Sequence, residues 1–406
     1  MWHGEAVVVS SKQADIVIVG AGVVGLSAAL ALAETKLNIL VLDAQTSHNA
    51  PSGDRDLAKW ARRVTALTPA STKFLSEIDA WQSMSNSGRI GPYTDMVVWD
   101  SEGTGLIEFD AQSLSLEALG YIVESTVTTD ALVNRVNETP NISIQWDTWL
   151  AQLDFNESYV NVVPREGEAI RAQLVIGADG GRSVSRELAG IRTRQWSYGQ
   201  KAIVATVRVA PEHSSACWQA FLPTGPLALL PLADNDLCSI VWSLDDSEAQ
   251  TWIESDDQAF LQGLNAALGG RGPAVTEVSE RQLFPLVQCH AVDYWSDRFV
   301  LIGDAAHAIH PLAGQGINLG LSDAQVLAAE LSYAHDRGAM WWAPSVLKRY
   351  ERQRKGDNLA MMAAMQAFKW GFGSRNSAVT MMRNAGLSAV DALPMAKRWF
   401  IQQAVG

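Results

Sequence analysis

Apolar residues along this chain fall into two rhythms. Short unbroken runs at 15–19 (DIVIV), 38–42 (NILVL), 174–176 (LVI) and 299–302 (FVLI) predict strands buried on both faces. Stripes with mixed three- and four-residue spacing predict helices at 26–34 and from about Gly316 onward, where Ile317, Leu319, Leu321, Ala324, Leu327 and Ala328 share a face. The buried runs end in glycines and acids. The first meets Gly20-Ala21-Gly22-Val23-Val24-Gly25, the second Asp43, the third Asp179-Gly180 after Gly177-Ala178, and the fourth Gly303-Asp304.

Elsewhere the texture differs. Residues 202–244 carry short β-rich pieces (AIVATVRV, CWQAFL, LALLPL, DLCSIVWSL) cut by Pro, Gly and Asp. They predict an antiparallel sheet whose apolar, aromatic inner face suits an apolar substrate. Residues 93–100 and 106–109 predict a hairpin outside the dinucleotide fold. Residues from Gly120 predict a helix that packs Leu132, Val133 and Val136 back on the first unit. Strands at 143–155 and 159–163 suit an inserted three-stranded crossover. A helix capped near Thr68, with Pro69 in its first turn, presents Ala70, Phe74, Leu75 and Ile78 as its apolar face. Arg62 and Arg63 precede it, either as a solvated pair or in reach of a phosphate.

The stretch 15–43 has the order and length of a dinucleotide-binding βαβ unit. Gly20 permits the tight turn, Gly22 lets the backbone approach a pyrophosphate, and Gly25 lets the helix pack on the sheet. Asp43 is placed to accept from an adenosine ribose hydroxyl. This motif does not separate FAD from NAD. Asp179 bonds either backbone or cofactor groups at its turn. Asp304, at a strand end, faces the crevice where ligands bind and suits hydroxyls such as those of a ribityl chain. The helix start after it offers unpaired N–H groups and partial positive charge, which suit the N1/O2 edge of a reduced flavin.

Composition narrows the class. The chain has 406 residues, 48% hydrophobic, and a formal net charge of −13. That excludes bulk nucleic-acid binding, which needs a basic footprint. Cys217, Cys238 and Cys289 lie far apart, as structural thiols of a reducing compartment do. No apolar run approaches the ~18 residues of a membrane span, and the first residues are too weakly basic for a secretory signal. A cytoplasmic protein is expected, peripheral to the inner membrane if it meets a membrane at all. His307 and His310 lack a third ligand, so no metal is expected. A backbone-bonded structural role is the reading for them, with proton handling as the catalytic alternative. From residue 345 to 406 ten Lys/Arg stand against three acids, a net +7 on a helical tail rich in Met, Phe and Trp (Phe368, Trp370, Phe372, Trp399, Phe400). Such a tail either docks on an anionic leaflet or packs on the first domain with a solvated basic face.

Taken together, the three glycine-bearing turns resemble those of the single-component flavin aromatic hydroxylases, the pattern of 4-hydroxybenzoate hydroxylase. The finer text is similar to the ubiquinone-biosynthesis hydroxylases: RRVTAL, GYIVEST, LVIGADG, IGDAAHAIHPLAGQGINLGLSDA, KRYERQR and MRNAGL. The resemblance implies FAD, with dioxygen as cosubstrate, and hydroxylation of a polyprenylated phenol or benzoquinol through a flavin C4a-hydroperoxide. It implies that Gly20, Gly22 and Gly25 hold the pyrophosphate, Asp43 the ribose, and Arg63 the phosphates. It places Asp179 and Gly303 at the cofactor turns, Asp304 at the ribityl or pyrophosphate region, and Gly316, Ile317 and Asn318 under the pyrimidine edge. A single G-x-G-x-x-G leaves NAD(P)H binding transiently or a protein delivering electrons.

The fold class expected is α/β: a Rossmann-type FAD-binding domain with an inserted antiparallel β-sheet substrate domain and a C-terminal helical tail. The FAD domain is assigned 11–80, 110–190 and 290–335, the substrate domain 81–109 and 191–289, and the helical region 336–406. Partners left open are proteins of a ubiquinone-biosynthesis complex and a second copy of the chain. The alternatives are a hydroxylase of another phenol and a non-catalytic scaffold subunit.

Overall fold

A computed structural model of the chain describes residues 12–46, 57, 60, 63–308 and 315–373. Strand β1 (Lys12–Val19) runs into the interior, and its last four residues are buried. Helix α1 (Val23–Ala31) follows the glycine turn, and β2 (Ile39–Leu42) returns parallel to β1. Both strands are covered on two faces, which is why they read as continuous apolar text.

Next, β3 (Val64–Leu67) leads into α2 (Pro69–Glu77). The Thr68 hydroxyl accepts from Ser71 N–H and Pro69 occupies the first helical position, as the cap text predicts. Phe74, Leu75 and Ile78 are buried, but Ala70 is exposed and does not belong to the apolar face. Helix α3 (Trp81–Asn86) buries Met84 in the same core as β1 and β2, so that core reaches past residue 80. After it come β4 (Ile90–Tyr93), β5 (Asp95–Asp100), β6 (Leu106–Asp110) and β7 (Gly120–Glu124). The GYIVE segment is therefore a strand. It pairs with β3 and with β4 in a small three-stranded sheet that has no local sequence signal. The expected helix starts only at Ser125, as α4 (Ser125–Asn137).

Residues 143–155 divide in two at Asp147, which has φ 51°. The first piece, β8 (Ile142–Gln145), joins β2 as the parallel edge. The second, β9 (Leu150–Phe155), pairs with β10 (Val160–Pro164), which pairs with β11 (Ile170–Gly177). Past the second turn lie α5 (Val184–Leu188) and the long β12 (Thr193–Ala210). Then follow β13 (Ala216–Leu222), β14 (Gly225–Pro231), β15 (Leu237–Asp245), α6 (Asp246–Glu254), α7 (Asp257–Leu268), β16 (Ala274–Val278) and β17 (Gln282–Ala291). The chain then re-enters the parallel sheet through β18 (Trp295–Ser296) and β19 (Phe299–Leu301). A short β20 (His307–Ala308), α8 (Gln315–Asp336) and α9 (Pro344–Gly373) complete the described chain.

One sheet orders its strands β18-β19-β11-β1-β2-β8. Its core continues into α8 and the first turns of α9 through Leu321, Leu327, Leu331, Leu347 and Tyr350. The larger sheet orders β20-β17-β12-β15-β14-β13-β5-β6, and one face packs on Phe260, Leu264 and Leu268 of α7. Strand β20 matters for the site. Two residues after the third turn, the chain leaves the parallel sheet and pairs with β17 of the other sheet.

The basic tail is partly consumed inside the protein. Arg349 pairs with Glu330 at 2.7 Å, Arg354 with Asp323 at 2.8 Å and Lys355 with Glu351 at 2.9 Å. Lys348 and Arg352 stay exposed on the described part of α9. Trp399, Phe400 and the side chains of Phe368, Trp370 and Phe372 lie outside the described residues. Among the described residues no helix is long and apolar enough to cross a membrane.

Candidate active site

Strands β1, β11 and β19 are neighbours and parallel, so their C-terminal ends lie together. That brings the three glycine turns side by side. A Cβ on Gly20, whose φ is 112°, would sit 2.4 Å from the Ala178 carbonyl oxygen. A Cβ on Gly303 would meet Val24 at 3.2 Å. Both turns thus touch the first one, the second at Gly20 and the third at Val24 of α1. Gly25 is tighter still: its Cβ would lie 2.0 Å from the Gly20 carbonyl oxygen.

Gly22 differs from its neighbours, because a Cβ there meets no protein atom within 4 Å. Above it α1 begins without a side-chain cap and without an acid in its first turn. Open space over uncapped helix N–H groups is what an anion requires. Asp43 flanks the loop, half-buried. Its Oδ2 accepts from Ala21 N–H at 2.6 Å and its Oδ1 from Gln45 N–H at 2.8 Å. The carboxylate retains lone pairs for a ribose hydroxyl.

Asp179 is engaged by the residues of its own turn. Its oxygens accept from the Ser183 hydroxyl (2.5 Å), the Ser185 hydroxyl (2.7 Å) and Ser185 N–H (2.9 Å). Arg186, buried on the same short helix, donates to the Ala305 carbonyl at 2.8 Å and the Gly181 carbonyl at 3.1 Å. The second turn therefore braces the third.

Asp304 is accessible, yet protein rings it. Its Oδ1 lies 3.7 Å from the Cβ position of Gly316, so it faces the first turn of α8. The surrounding protein pushes its carboxyl above the ordinary range, while His307 and Arg63 pull it back. Arg63 is exposed, with its guanidinium 5.9 Å over the Phe284 ring of β17. It stands between the turns and the larger sheet. Gly316 and Ile317 are half-buried at the helix start. The buried Asn318 side chain is spent on structure. Its Oδ1 accepts from Thr68 N–H (3.1 Å) and the Ser71 hydroxyl (2.7 Å), and its Nδ2 donates to the Ala66 carbonyl (2.8 Å). Any contact from Asn318 to a flavin is left to its backbone.

The comparisons with known proteins agree with this geometry. The model of the FAD binding domain family matches residues 13–365. The chain is 35% identical to 3-demethoxyubiquinol 3-hydroxylase of Escherichia coli, over 98% of this chain and all (100%) of that protein. The chain belongs to the FAD-binding family of ubiquinone-biosynthesis hydroxylases. It is also 34% identical to the mitochondrial ubiquinone biosynthesis monooxygenase COQ6 of Danio rerio, over 94% of this chain and 88% of that one. Among solved structures, p-nitrophenol 4-monooxygenase PnpA of Pseudomonas putida shares the fold, with a TM-score of 0.79 at 20% identity over 98% of this chain and 99% of that one.

FAD, the cofactor of this family, fits the residues present. The open space over Gly22 and the uncapped start of α1 suit its pyrophosphate, and Asp43 and Asp304 offer acceptors at the two ends. A cavity of about 290 Å³ lined by Asp15, Asn38, Tyr159 and Arg171 lies at the opposite ends of the same strands and holds none of these groups.

One expectation is overturned. His307 is not backbone-bonded through its ring. It is fully buried, and its Nε2 meets Asp323 Oδ2 at 2.5 Å. His310 lies outside the described residues. Asp323, Arg354 and Arg186 are site-supporting residues that sequence reasoning missed, although the first two stand inside the quoted motifs SDA and KRYERQR.

Beside this group, His290 of β17 is buried. Burial first, then His307, Lys355 and Arg194, push its imidazole down to about 4. The unfolded chain binds that proton near pH 6.5, so stability is full above about 6.5 and falls as pH drops. The loss is complete near pH 4 and reaches at most roughly 3 kcal/mol. Urea midpoints at about pH 7 and about pH 5 check this. The difference between them should shrink in His290→Gln, and an undiminished difference would assign the acid sensitivity elsewhere.

Proposed function

We propose that this chain hydroxylates the aromatic ring of a polyprenylated phenol or benzoquinol in ubiquinone biosynthesis, as an FAD-dependent monooxygenase. The observation that carries it is the meeting of three glycine turns beside an apolar antiparallel sheet. FAD, when bound, would supply the activation of dioxygen, with one oxygen atom passing to the ring and the other leaving as water at the expense of the reductant. Gly20, Gly22 and Gly25 hold its pyrophosphate, Asp43 its ribose and Asp304 its ribityl chain, with Arg63 toward the phosphates. The first turn of α8, from Gly316 to Asn318, favours negative charge at the pyrimidine edge. Asp179 shapes the second turn rather than offering a free carboxylate.

The larger sheet is the substrate wall. Strand β17 meets the cofactor side through its pairing with β20, and farther along the same strand Phe284 faces Arg63. An apolar wall excludes water, which protects an oxygen-transfer reaction from unproductive decay. The reductant is NAD(P)H or a protein donor. The protein works as a peripheral inner-membrane or cytoplasmic enzyme, with exposed Lys348 and Arg352 toward the anionic leaflet where a polyprenyl substrate resides.

Two measurements test this. Purified protein should show a flavin spectrum and incorporate labelled oxygen from O₂ into a polyprenylphenol. A folded, colourless protein that takes up no FAD on titration would return the scaffold reading. Asp304→Ala should weaken FAD binding by about 10- to 100-fold, the worth of a charge-assisted hydrogen bond. Wild-type occupancy in that variant would remove Asp304 from the site.

A further inference from the structure

The third turn is gripped from behind. Gly303 has φ 60°, a left-handed conformation, and its N–H donates to Asp323 Oδ2 at 3.0 Å. The same oxygen meets His307 Nε2 at 2.5 Å. One carboxylate oxygen thus anchors the residue before Asp304 and a residue shortly after it. The other oxygen, Oδ1, accepts from Arg354 Nε at 2.8 Å and Asn358 Nδ2 at 3.3 Å, both from α9. Arg354 also donates to the Asn358 Oδ1 at 3.1 Å. Asp323, His307 and Asn358 are fully buried and Arg354 is nearly so.

A buried ionic cluster is weak evidence of stability, because well-packed apolar residues of equal volume often serve as well. What four donors on one carboxylate do provide is a single geometry. Burial alone would push the Asp323 carboxyl up, but His307 and Arg354 outweigh it and hold it below the ordinary carboxylate range. The group is charged and immobile behind a turn that carries a cofactor carboxylate on its front.

We propose that Asp323 is a positioning residue of the flavin site: it sets the direction of Asp304 through Gly303 and His307, and Arg354 extends that control to the C-terminal helix. The proposal rests on the reading of Asp304 as a cofactor ligand. It makes α9 part of the FAD site through the back of the turn.

The test uses full-length protein stripped of flavin and titrated with FAD. Kd, the visible spectrum of bound flavin and the apo-protein unfolding midpoint are read together. Asp323→Asn keeps the shape and removes the charge. It should weaken FAD by at least about tenfold and shift the flavin spectrum. Arg354→Met should do likewise, and Arg354→Lys should restore part of the affinity. Tyr350→Phe is the structural control. It removes a buried hydrogen bond of 2.8 Å from α9 to the Leu301 carbonyl of β19, without touching the turn. It should lower the midpoint and leave Kd and spectrum unchanged. The proposal is overturned if Asp323→Asn binds FAD with wild-type Kd and spectrum, or if Tyr350→Phe loses FAD to the same degree. Should Asp323→Asn yield no folded protein, the Arg354 pair decides, and equal Kd in Met and Lys variants overturns it. Wild-type protein that takes up no FAD while folded would instead overturn the cofactor reading beneath it.

Discussion

Gly25→Ala is expected to abolish FAD binding and to leave little folded protein. The added methyl would lie 2.0 Å from the Gly20 carbonyl oxygen and 3.2 Å from the Ala178 Cβ. Neither neighbour can turn aside as a long side chain would. The clash is relieved only if α1 lifts from the sheet, and that helix buries Leu26, Ala28 and Ala29 in the main core. Overpacking a well-filled core costs about 1–3 kcal/mol, and a backbone collision lies at or beyond the upper end. Lifting α1 also moves its N–H groups away from the pyrophosphate. Gly22→Ala separates the two consequences, because its methyl meets open space in the protein. That variant should unfold at the wild-type midpoint and still lose FAD. Thermal unfolding of apo-protein with a parallel FAD titration checks both. Wild-type flavin content in Gly25→Ala would show that the loop geometry has been misread.

The second large effect is expected at the end of β7, which pairs with β3 directly after Arg63. Glu124 closes β7 and is fully buried, and Arg89 meets it through Nε at 2.5 Å and Nη2 at 2.8 Å. The guanidinium lies 4.0 Å from the Trp60 ring, which covers its other face. Removing one member of a buried pair costs about 3–5 kcal/mol, because the remaining charge keeps its desolvation penalty. Arg89→Ala should therefore shift the denaturation midpoint strongly. The double variant Arg89→Leu with Glu124→Leu should recover part of the loss, since both members of the pair are then removed. Equal midpoints for wild type and Arg89→Ala would show that Glu124 is not held by this pair.

Neither prediction was equally legible beforehand. The glycine turn at Gly25 is legible in the sequence, because strand, glycine turn, helix and acid follow one another within 15–43. The same holds for the Thr68 cap, where the bonded partner is three residues away. Arg89 and Glu124 are 35 residues apart, and nothing in either segment names the other. GYIVE is a strand and not the expected helix for a related reason. Five residues fit either period, and the choice was made by ladders to β3 and β4, not by the segment. His307 was assigned a backbone partner because its carboxylate, Asp323, lies 16 residues away on another element.

By itself the sequence determined the family, the parallel strands and the three turns. These depend on residue type and near neighbours: glycine where φ is positive or backbones touch, apolar runs where both faces are covered. Only the tertiary structure decided which buried charges meet, which side of Asp179 is already occupied, and that α9 reaches the Gly303-Asp304 turn through Arg354 and Asp323. Those choices belong to side chains far apart along the chain, brought together when the sheets order β19 beside β11 and α9 beside α8. A local pattern carries no record of that juxtaposition.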